Sequence, residues 1–291
     1  MSAKLTIAAI ALLMTAGAAN AADWSDTSLG VRYGTTFAEP YDNHNPDGSD
    51  RVDIKKTILS LTHASGYKYG TNFLNVDMLM SNGADPADGV AGKSGAQEVY
   101  VVYRHMLDIG KIAGTPIKFG PVNGVGVTGG FDFNTKNDGY ASRKRMLVLG
   151  PTLMFDVPGF LNLSALVLNE SNAPNGLSSG RYTYKTHGAL ELDWGLPIAS
   201  LPLTFKGYAL YIGAKGQNEF GGATSPETHV DMSLMYDVGA GAGMAKNTFL
   251  VGFEYEYWRN KFGNPTKLYA EGGGGDGATA STPMIRVEYH F

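Results

Sequence analysis

Ionisable side chains recur at every second position in several stretches of the chain, and this spacing limits the chemistry they can do. Residues two apart in a β-strand lie on the same face, so such a series lines one surface. The candidates are Arg32, Asp77, Lys185, His187, Glu191, Asp193, His229, Asp231, Glu254, Glu256, Arg286 and Glu288. Charges of both signs in a narrow space can pair and still offer hydrogen bonds to a neutral polar solute. We interpret these residues as substrate-binding; the alternative is that their charges only lock the interior together.

Local signatures of catalysis or metal binding do not accompany this set. The sequence has no GxSxG or HExxH pattern, no Cys, and six His without paired metal-ligand spacing. A GxGxxG match at 124–129 precedes an alternating stretch, whereas a dinucleotide site needs a helix there. We therefore predict no enzyme activity, no metal and no cofactor. A barrel enzyme that acts on lipids stays open as an alternative, because Ser and His on neighbouring strands leave no local motif.

The elements that must position these side chains are strands, since apolar residues occupy the alternate positions. In "ETHVDMSLMYDV" the apolar set Val230, Met232, Leu234 and Tyr236 opposes a polar set, and "NTFLVGFEYEYW" repeats the design. We predict twelve strands, at residues 27–39, 53–65, 71–81, 96–109, 117–134, 143–155, 160–171, 181–194, 203–216, 227–238, 247–260 and 283–291. Several are longer than the strands of a soluble β-sandwich, and aromatic residues cluster at their ends.

Residues 1–21 have the features of a signal peptide: Lys4, an apolar run, and the small-residue cleavage site Ala19-Asn20-Ala21. We expect residues 22–291 to form one domain without disulfides, since the chain has no Cys. The formal net charge of −4 gives no basic surface dense enough for a nucleic-acid polymer. The mean hydropathy of −0.13 is compatible with a membrane protein if only alternate residues touch lipid.

Long polar links such as "PYDNHNPDGSD" and "QNEFGGATSP" alternate with tight ones such as "GYKYG" and "DVPG". Bacterial outer-membrane barrels have this asymmetry, and an even strand number puts both termini on one side. The sequence therefore predicts an all-β fold, a transmembrane antiparallel β-barrel of about 12 strands, in the outer membrane of a Gram-negative cell. Its apolar face would contact outer-membrane lipid, and its charged face would line a water-filled lumen.

Two predicted strands blur the alternation. Ile58, Leu59 and Leu61 occur together, and "LVLGPTLMF" at 147–155 is apolar on both faces. Either apolar side chains fill part of the lumen there or the predicted strand phase is wrong. A structural or adhesive barrel with a plugged interior is thus a further alternative.

Five stretches also resemble a known family: "DTSLGVRYGTTFAEP", "THASGYKYGTNFLNVDMLMSNGADPA", "GAQEVYVVYRH", "KNTFLVGFEYEYWRNKFGN" and "TPMIRVEYHF". They are similar to the Tsx-type nucleoside-specific channel-forming proteins, in particular the outer envelope protein branch, and the likeness spans about residues 23–291. It implies a twelve-stranded barrel with a narrow lumen and passive uptake of nucleosides, with aromatic and ionisable contact residues. No contact set of the family is carried over residue by residue. We expect a monomer that is inserted by the barrel-assembly machinery through the C-terminal strand ending at Phe291.

Overall fold

The computed structural model describes residues 22–85 and 95–291, so the predicted signal peptide, 1–21, lies outside the described residues. The described chain forms β1 (Trp24–Phe37), β2 (Ile54–Tyr67), β3 (Gly70–Ser81), β4 (Gln97–Asp108), α1 (Ile109–Ala113), β5 (Val122–Lys136), β6 (Arg145–Phe155), β7 (Phe160–Asn172), β8 (Tyr182–Thr183), β9 (His187–Pro197), β10 (Leu203–Ile212), β11 (Glu227–Asp237), β12 (Phe249–Arg259) and β13 (Thr279–His290). Short 3₁₀ turns occupy Ala240–Ala242, Lys261–Gly263, Tyr269–Glu271 and Asp276–Ala278. No helix in these ranges is long and apolar enough to span a membrane.

The strands close into a ring of antiparallel neighbours. β1 pairs with β13 from Ser28↔His290 to Gly34↔Met284, and β6 pairs with β7 on the opposite side of the ring. Twelve strands make the ring, while the two-residue β8 pairs only with the end of β7. Closure leaves no open sheet edge in the ring. The predicted all-β antiparallel barrel of about 12 strands is confirmed.

The outer face of the barrel carries an apolar belt. Leu149, Phe253 and Ile285 are 61%, 76% and 56% exposed, whereas their inward-facing neighbours Val148 and Glu254 are buried. A continuous apolar belt on the outside of a closed barrel is stable only against lipid. The chain is therefore an integral outer-membrane β-barrel.

The connections differ between the two rims, as the sequence predicts. One rim carries L1 (38–53), L3 (137–144), L4 (173–186), L5 (213–226) and L6 (260–278), together with the link between β3 and β4. The other rim includes the tight turns 68–69, 156–159 and 198–202. Longer loops face the outside in bacterial barrels, so we assign the first rim to the extracellular side.

The prediction of one strand over 181–194 is wrong. β9 begins at His187, and β8 is separate from it. An unbroken strand with Lys185 and His187 on its lumen face would turn Tyr184 to lipid, yet Tyr184 is 7% exposed and donates a 2.7 Å hydrogen bond to Glu219 in L5. A hydrogen bond to a distant loop thus overrides the local alternation, which continues only from β9 onward.

The two blurred strands contribute apolar side chains to the interior. In β2, Ile58 is 2% exposed and points inward, while Leu59 and Leu61 belong to the outer belt. In β6, Met146 and Val148 are buried inside the barrel between the exposed positions. The interpretation of these stretches as apolar filling of the lumen is confirmed.

Candidate functional site in the barrel lumen

The predicted site residues converge inside the barrel, with one exception. Eleven of the twelve face the lumen: Arg32, Asp77, His187, Glu191, Asp193, His229, Asp231, Glu254, Glu256, Arg286 and Glu288. Lys185 does not, because it lies exposed in L4, between β8 and β9. Its placement in the lumen is a wrong inference from the unbroken strand 181–194. Whether the other eleven bind a solute stays a prediction.

Arg32 forms the centre of the first charge network. From β1 its guanidinium reaches Asp77 on β3 at 2.5 Å and Glu254 on β12 at 2.9 Å, with Asp231 at 3.8 Å. The side chain of Arg32 is 10% exposed and that of Glu254 is fully buried. Carboxylates on β3 and β12 therefore fix the guanidinium from both sides.

The network continues toward the periplasmic end. Arg286 donates to the second oxygen of Glu254 at 2.9 Å and to Glu288 at 2.7 Å. Lys206 on β10 reaches Glu288 on β13 at 2.5 Å, across the two strands between them. Arg32 and Arg286 thus share one carboxylate, which fixes both cations in position.

A second network crosses the lumen at Arg104, a residue that the sequence interpretation missed. Its guanidinium contacts Asp132 on the neighbouring β5 at 2.5 Å and Glu191 on the distant β9 at 3.2 Å. Asn162 donates to Asp193 at 2.8 Å beside it. Arg104 stands in "YVVYRH", where apolar residues on both faces obscure the alternation. Strand parity alone could not separate its two faces.

At the extracellular end of the barrel, three lysines surround one carboxylate. Lys56, Lys261 and Lys136 lie 2.6, 3.3 and 3.5 Å from Glu39, which is 6% exposed. Burial alone would raise the pKa of the Glu39 carboxyl, but the three ammonium groups lower it well below its usual value. Lys261 also donates to the backbone carbonyl of Ala38. This Glu39 cluster ties β1, β2, β5 and L6 together.

A fourth group of charges is centred on Glu170. Glu170, buried on β7, accepts from Lys215 at 2.7 Å, with Lys144 at 3.9 Å and His187 at 3.7 Å. Lys144 also donates to the hydroxyl of Tyr100 at 3.2 Å. Cations from L3 and L5 therefore converge on a single β7 carboxylate.

The extracellular loops are held by side-chain hydrogen bonds. Glu219 at the tip of L5 accepts from Tyr140 in L3 and Tyr184 in L4. Burial and the adjacent carboxylate raise the pKa of both tyrosine hydroxyls, so they stay protonated donors at neutral pH. L1 and L6 are joined in the same way, because Asn43 donates to the Tyr269 hydroxyl at 2.7 Å.

Apolar clusters fill the space between these networks. One contains Phe37, Ile54, Ile58 and Met284, each at most 4% exposed. The other contains Met146, Val148, Leu166, Leu168, Ala189 and Ile212. Both lie on inward-facing strand positions, so the lumen is narrowed by apolar side chains as well as by ion pairs.

Uncharged polar groups line the remaining wall. Thr128, Thr152 and Ser164 form a chain of buried hydroxyls across β5, β6 and β7, joined at 2.6 and 2.8 Å. His229 stacks on Trp258 with ring centroids 3.9 Å apart. Within the two described ranges, no three His, Asp or Glu residues are grouped so that they could hold a metal ion.

The chain is similar to several solved outer-membrane proteins at low sequence identity. No protein-family model and no curated protein matches the chain. The "NanC porin" is 14% identical with a TM-score of 0.45, and the "KdgM porin" is 11% identical with a TM-score of 0.42; each covers 91% of this chain and 99% of its own. The "Translocator domain of autotransporter NalP from Neisseria meningitidis" is 13% identical with a TM-score of 0.44, covering 99% of this chain and 96% of its own.

Proposed function

We propose that the protein is an outer-membrane channel through which small, uncharged polar solutes, nucleosides in particular, diffuse passively. The observation that carries the proposal is charge compensation in the lumen. Nine cations in the lumen and at its extracellular end each lie within 4.0 Å of a carboxylate: Arg32, Lys56, Arg104, Lys136, Lys144, Lys206, Lys215, Lys261 and Arg286.

Paired charges attract ions of either sign weakly, but they still present hydrogen-bonding groups. An uncharged solute with hydroxyl or amide groups can exchange water for these groups at little cost, whereas an ion must compete with an existing ion pair. The stacked pair His229 and Trp258 adds aromatic surface of the kind that suits a base or a sugar ring. The nucleoside preference rests on this lining together with the family resemblance of the sequence.

Among the ions that do pass, cations should pass better than anions. In the networks centred on Arg32 and Arg104, four cations face six carboxylates: Arg32, Arg104, Lys206 and Arg286 against Asp77, Asp132, Glu191, Asp231, Glu254 and Glu288. An excess of negative charge in a narrow pore raises the energy of an anion more than that of a cation. A weak cation preference is therefore expected.

A second candidate function, a structural barrel with a closed interior, is favoured by the apolar clusters. Side chains such as Ile54 and Leu168 are at most 1% exposed although they point inward. A barrel packed to this degree stabilises itself without conducting. This candidate differs from the channel in predicting neither conductance nor solute uptake.

Two measurements on the purified protein separate the candidates. Single-channel recording in planar bilayers should give small conductance steps that millimolar adenosine reduces. Swelling of proteoliposomes should proceed with small polar solutes and stop as the solutes grow. Arg104→Ala removes the guanidinium that crosses the lumen and should raise conductance, while Arg51→Ala in L1 should leave it unchanged.

Each possible failure has its own meaning. Conductance without any effect of adenosine would reject the nucleoside preference and leave a general channel for small solutes. Absence of both conductance and swelling in wild type, with correctly folded protein, would reject the channel and favour the structural barrel.

A further inference from the structure

Three buried polar atoms in the lumen have no hydrogen-bond partner, and they belong to neighbouring residues. They are Nε of Arg32, Oγ of Ser60 and Oδ1 of Asp77. Ser60 is 5% exposed and Arg32 8%. A buried polar group without a partner is unfavourable, so three of them on adjoining strands indicate a position that a polar group, from water or from a ligand, would fill.

Strand register brings the three groups together. Ser60 on β2 lies opposite Gly30 on β1 and also opposite Asp77 on β3. Arg32 follows Gly30 by two residues on the same face, and its 2.5 Å ion pair with Asp77 has to cross β2. Ser60 on β2 therefore lies beside the ion pair, between the strand of Arg32 and the strand of Asp77.

The ion pairs decide which atoms remain free. Both Nη atoms of Arg32 are engaged, Nη1 by Glu254 and Nη2 by Oδ2 of Asp77. The Nε–H remains as a fixed donor, Oδ1 of Asp77 as a fixed acceptor, and the Ser60 hydroxyl as either. This combination matches an alcohol group, which both donates and accepts.

Two small residues of β1, Ser28 and Gly30, form the wall beside these groups. Gly30 has no side chain, and Ser28 next to it on the same face is small and buried. A Cβ placed on Gly30 would lie 3.5 Å from Cβ of Ser60, an ordinary van der Waals contact. A methyl group introduced at Gly30 would thus lie next to the Ser60 side chain without a clash.

We propose that Arg32, Ser60 and Asp77 form a subsite for the hydroxyl groups of a neutral solute, best filled by a vicinal diol such as that of a ribose ring. Asp77 accepts from one hydroxyl, Arg32 donates to the same or the adjacent oxygen, and Ser60 completes the set. The inference rests on the proposed channel function for its solute and names the position where that solute is held.

Equilibrium dialysis of radiolabelled adenosine against the purified, detergent-folded protein tests the subsite without requiring transport. Loss of one hydrogen bond in Ser60→Ala should weaken adenosine binding about fivefold. The matched control is Ser164→Ala, an inward-facing serine whose hydroxyl is already paired with Thr152; it should bind as wild type. Wild type should bind 2′,3′-dideoxyadenosine more weakly than adenosine, and Ser60→Ala should not weaken that binding further.

A second variant tests the space instead of the hydrogen bond. Gly30→Ala should fold normally, as judged by circular dichroism and by the heat-dependent mobility shift of barrels in gels, yet bind adenosine more weakly.

Adenosine binding with this variant pattern, but without conductance, would support the subsite and reject the channel. Adenosine block of conductance that is equal in Ser60→Ala and Ser164→Ala would overturn the subsite and keep the channel. Equal binding of adenosine and its dideoxy analogue, or no binding of adenosine to wild type, would also overturn the subsite.

Discussion

The guanidinium of Arg32 lies 2.9 Å from the carboxylate of Glu254, although 222 residues separate them in the chain. This contact exists only because β1 and β12 flank β13 in the closed ring. Closure of the ring therefore determines which charged side chains meet in the lumen.

Removal of the Arg32 guanidinium should destabilise the barrel strongly. Arg32→Leu leaves Asp77, Asp231 and Glu254 as buried carboxylates without their central cation, and loss of one partner from a buried ion pair costs roughly 3 kcal/mol or more. Urea unfolding in lipid vesicles measures the change.

The control for Arg32→Leu is Arg51→Ala, which removes a partly exposed arginine of L1 and should change the free energy of unfolding by less than about 0.5 kcal/mol. A double variant with Glu254→Leu should recover part of the loss, because one uncompensated charge is removed with its partner. Equal stability of Arg32→Leu and Arg51→Ala would contradict the central role of Arg32.

The Glu39 cluster should make the barrel sensitive to acid. Lys136, Lys261 and Lys56 hold the pKa of Glu39 well below its usual value of 4.5, in spite of burial. A carboxyl with a lowered folded pKa contributes stability that is present above pH 4.5 and is lost as the pH falls through the folded pKa. The melting temperature of the wild-type protein should therefore fall more steeply with decreasing pH than that of Glu39→Gln.

A matched control for this profile is Glu271→Gln, because Glu271 is an exposed carboxyl of L6. Its pH profile should coincide with that of wild type. If Glu39→Gln also retained the wild-type profile, the lysines would not stabilise the charged carboxylate.

Asp42 lies three residues beyond Glu39 in L1. Its contribution to the pH dependence of stability should have the opposite sign. Burial, with Asp85 and Glu39 nearby, raises its pKa from 3.8 to about 6. The folded state then holds the proton more tightly, so stability falls as the pH rises from about 4 to 6. Asp42→Asn removes this effect and should stabilise the barrel at pH 7 by about 1 kcal/mol, a value reduced for partial exposure.

The same denaturation measurement at pH 3 checks the sign for Asp42. Both proteins carry a neutral side chain there, so their stabilities should agree. A loss of stability in Asp42→Asn at pH 7 would mean that the charged carboxylate has a favourable partner.

The barrel could be predicted from sequence because lipid imposes its own pattern. Every second residue of a lipid-facing strand must be apolar, and the bounds of β7 (Phe160–Asn172) and β11 (Glu227–Asp237) lie within a residue of the predicted ones. The pattern fails where loops replace lipid as the environment. Tyr184 has the sequence signature of a belt residue, yet it is buried by its hydrogen bond to Glu219.

The lumen was only partly predictable, because its contacts link residues far apart in sequence. Strand parity indicates that Glu191 points inward, but not that Arg104, 87 residues earlier, is its partner. Glu39 ends the predicted strand 27–39, but β1 itself ends at Phe37 after a register shift past Gly34, so parity along the predicted strand does not give the direction of the Glu39 side chain. Partner choice depends on which strands stand opposite each other after closure, and alternation carries no such information.

A charged substitution in the outer apolar belt should destabilise the barrel more, the closer the substituted residue lies to the middle of the bilayer. Phe253 on β12 lies opposite Leu234 and Ile285 and is 76% exposed. Arginine there would stand in hydrocarbon, so Phe253→Arg should cost roughly 2–4 kcal/mol in folding into vesicles. Phe220→Arg at the tip of L5, where the ring is 63% exposed, is the control and should cost little. Equal effects of the two changes would place Phe253 outside the lipid belt.

A close backbone approach between β6 and β7 should make substitution of Gly150 destabilising. The two strands are not paired at Gly150 and Pro151, and a Cβ on Gly150 would lie 1.9 Å from the carbonyl oxygen of Ala165. Gly150→Ala must push these strands apart and should cost about 2 kcal/mol or more. Gly188→Ala is the matched control, since its Cβ would approach the same strand no closer than 3.7 Å, at Leu166. Denaturation of both variants in vesicles tests this prediction. Similar denaturation midpoints would mean that β6 and β7 accommodate the methyl group without strain. A lower midpoint for Gly150→Ala alone would confirm that backbone contact sets the spacing of these strands.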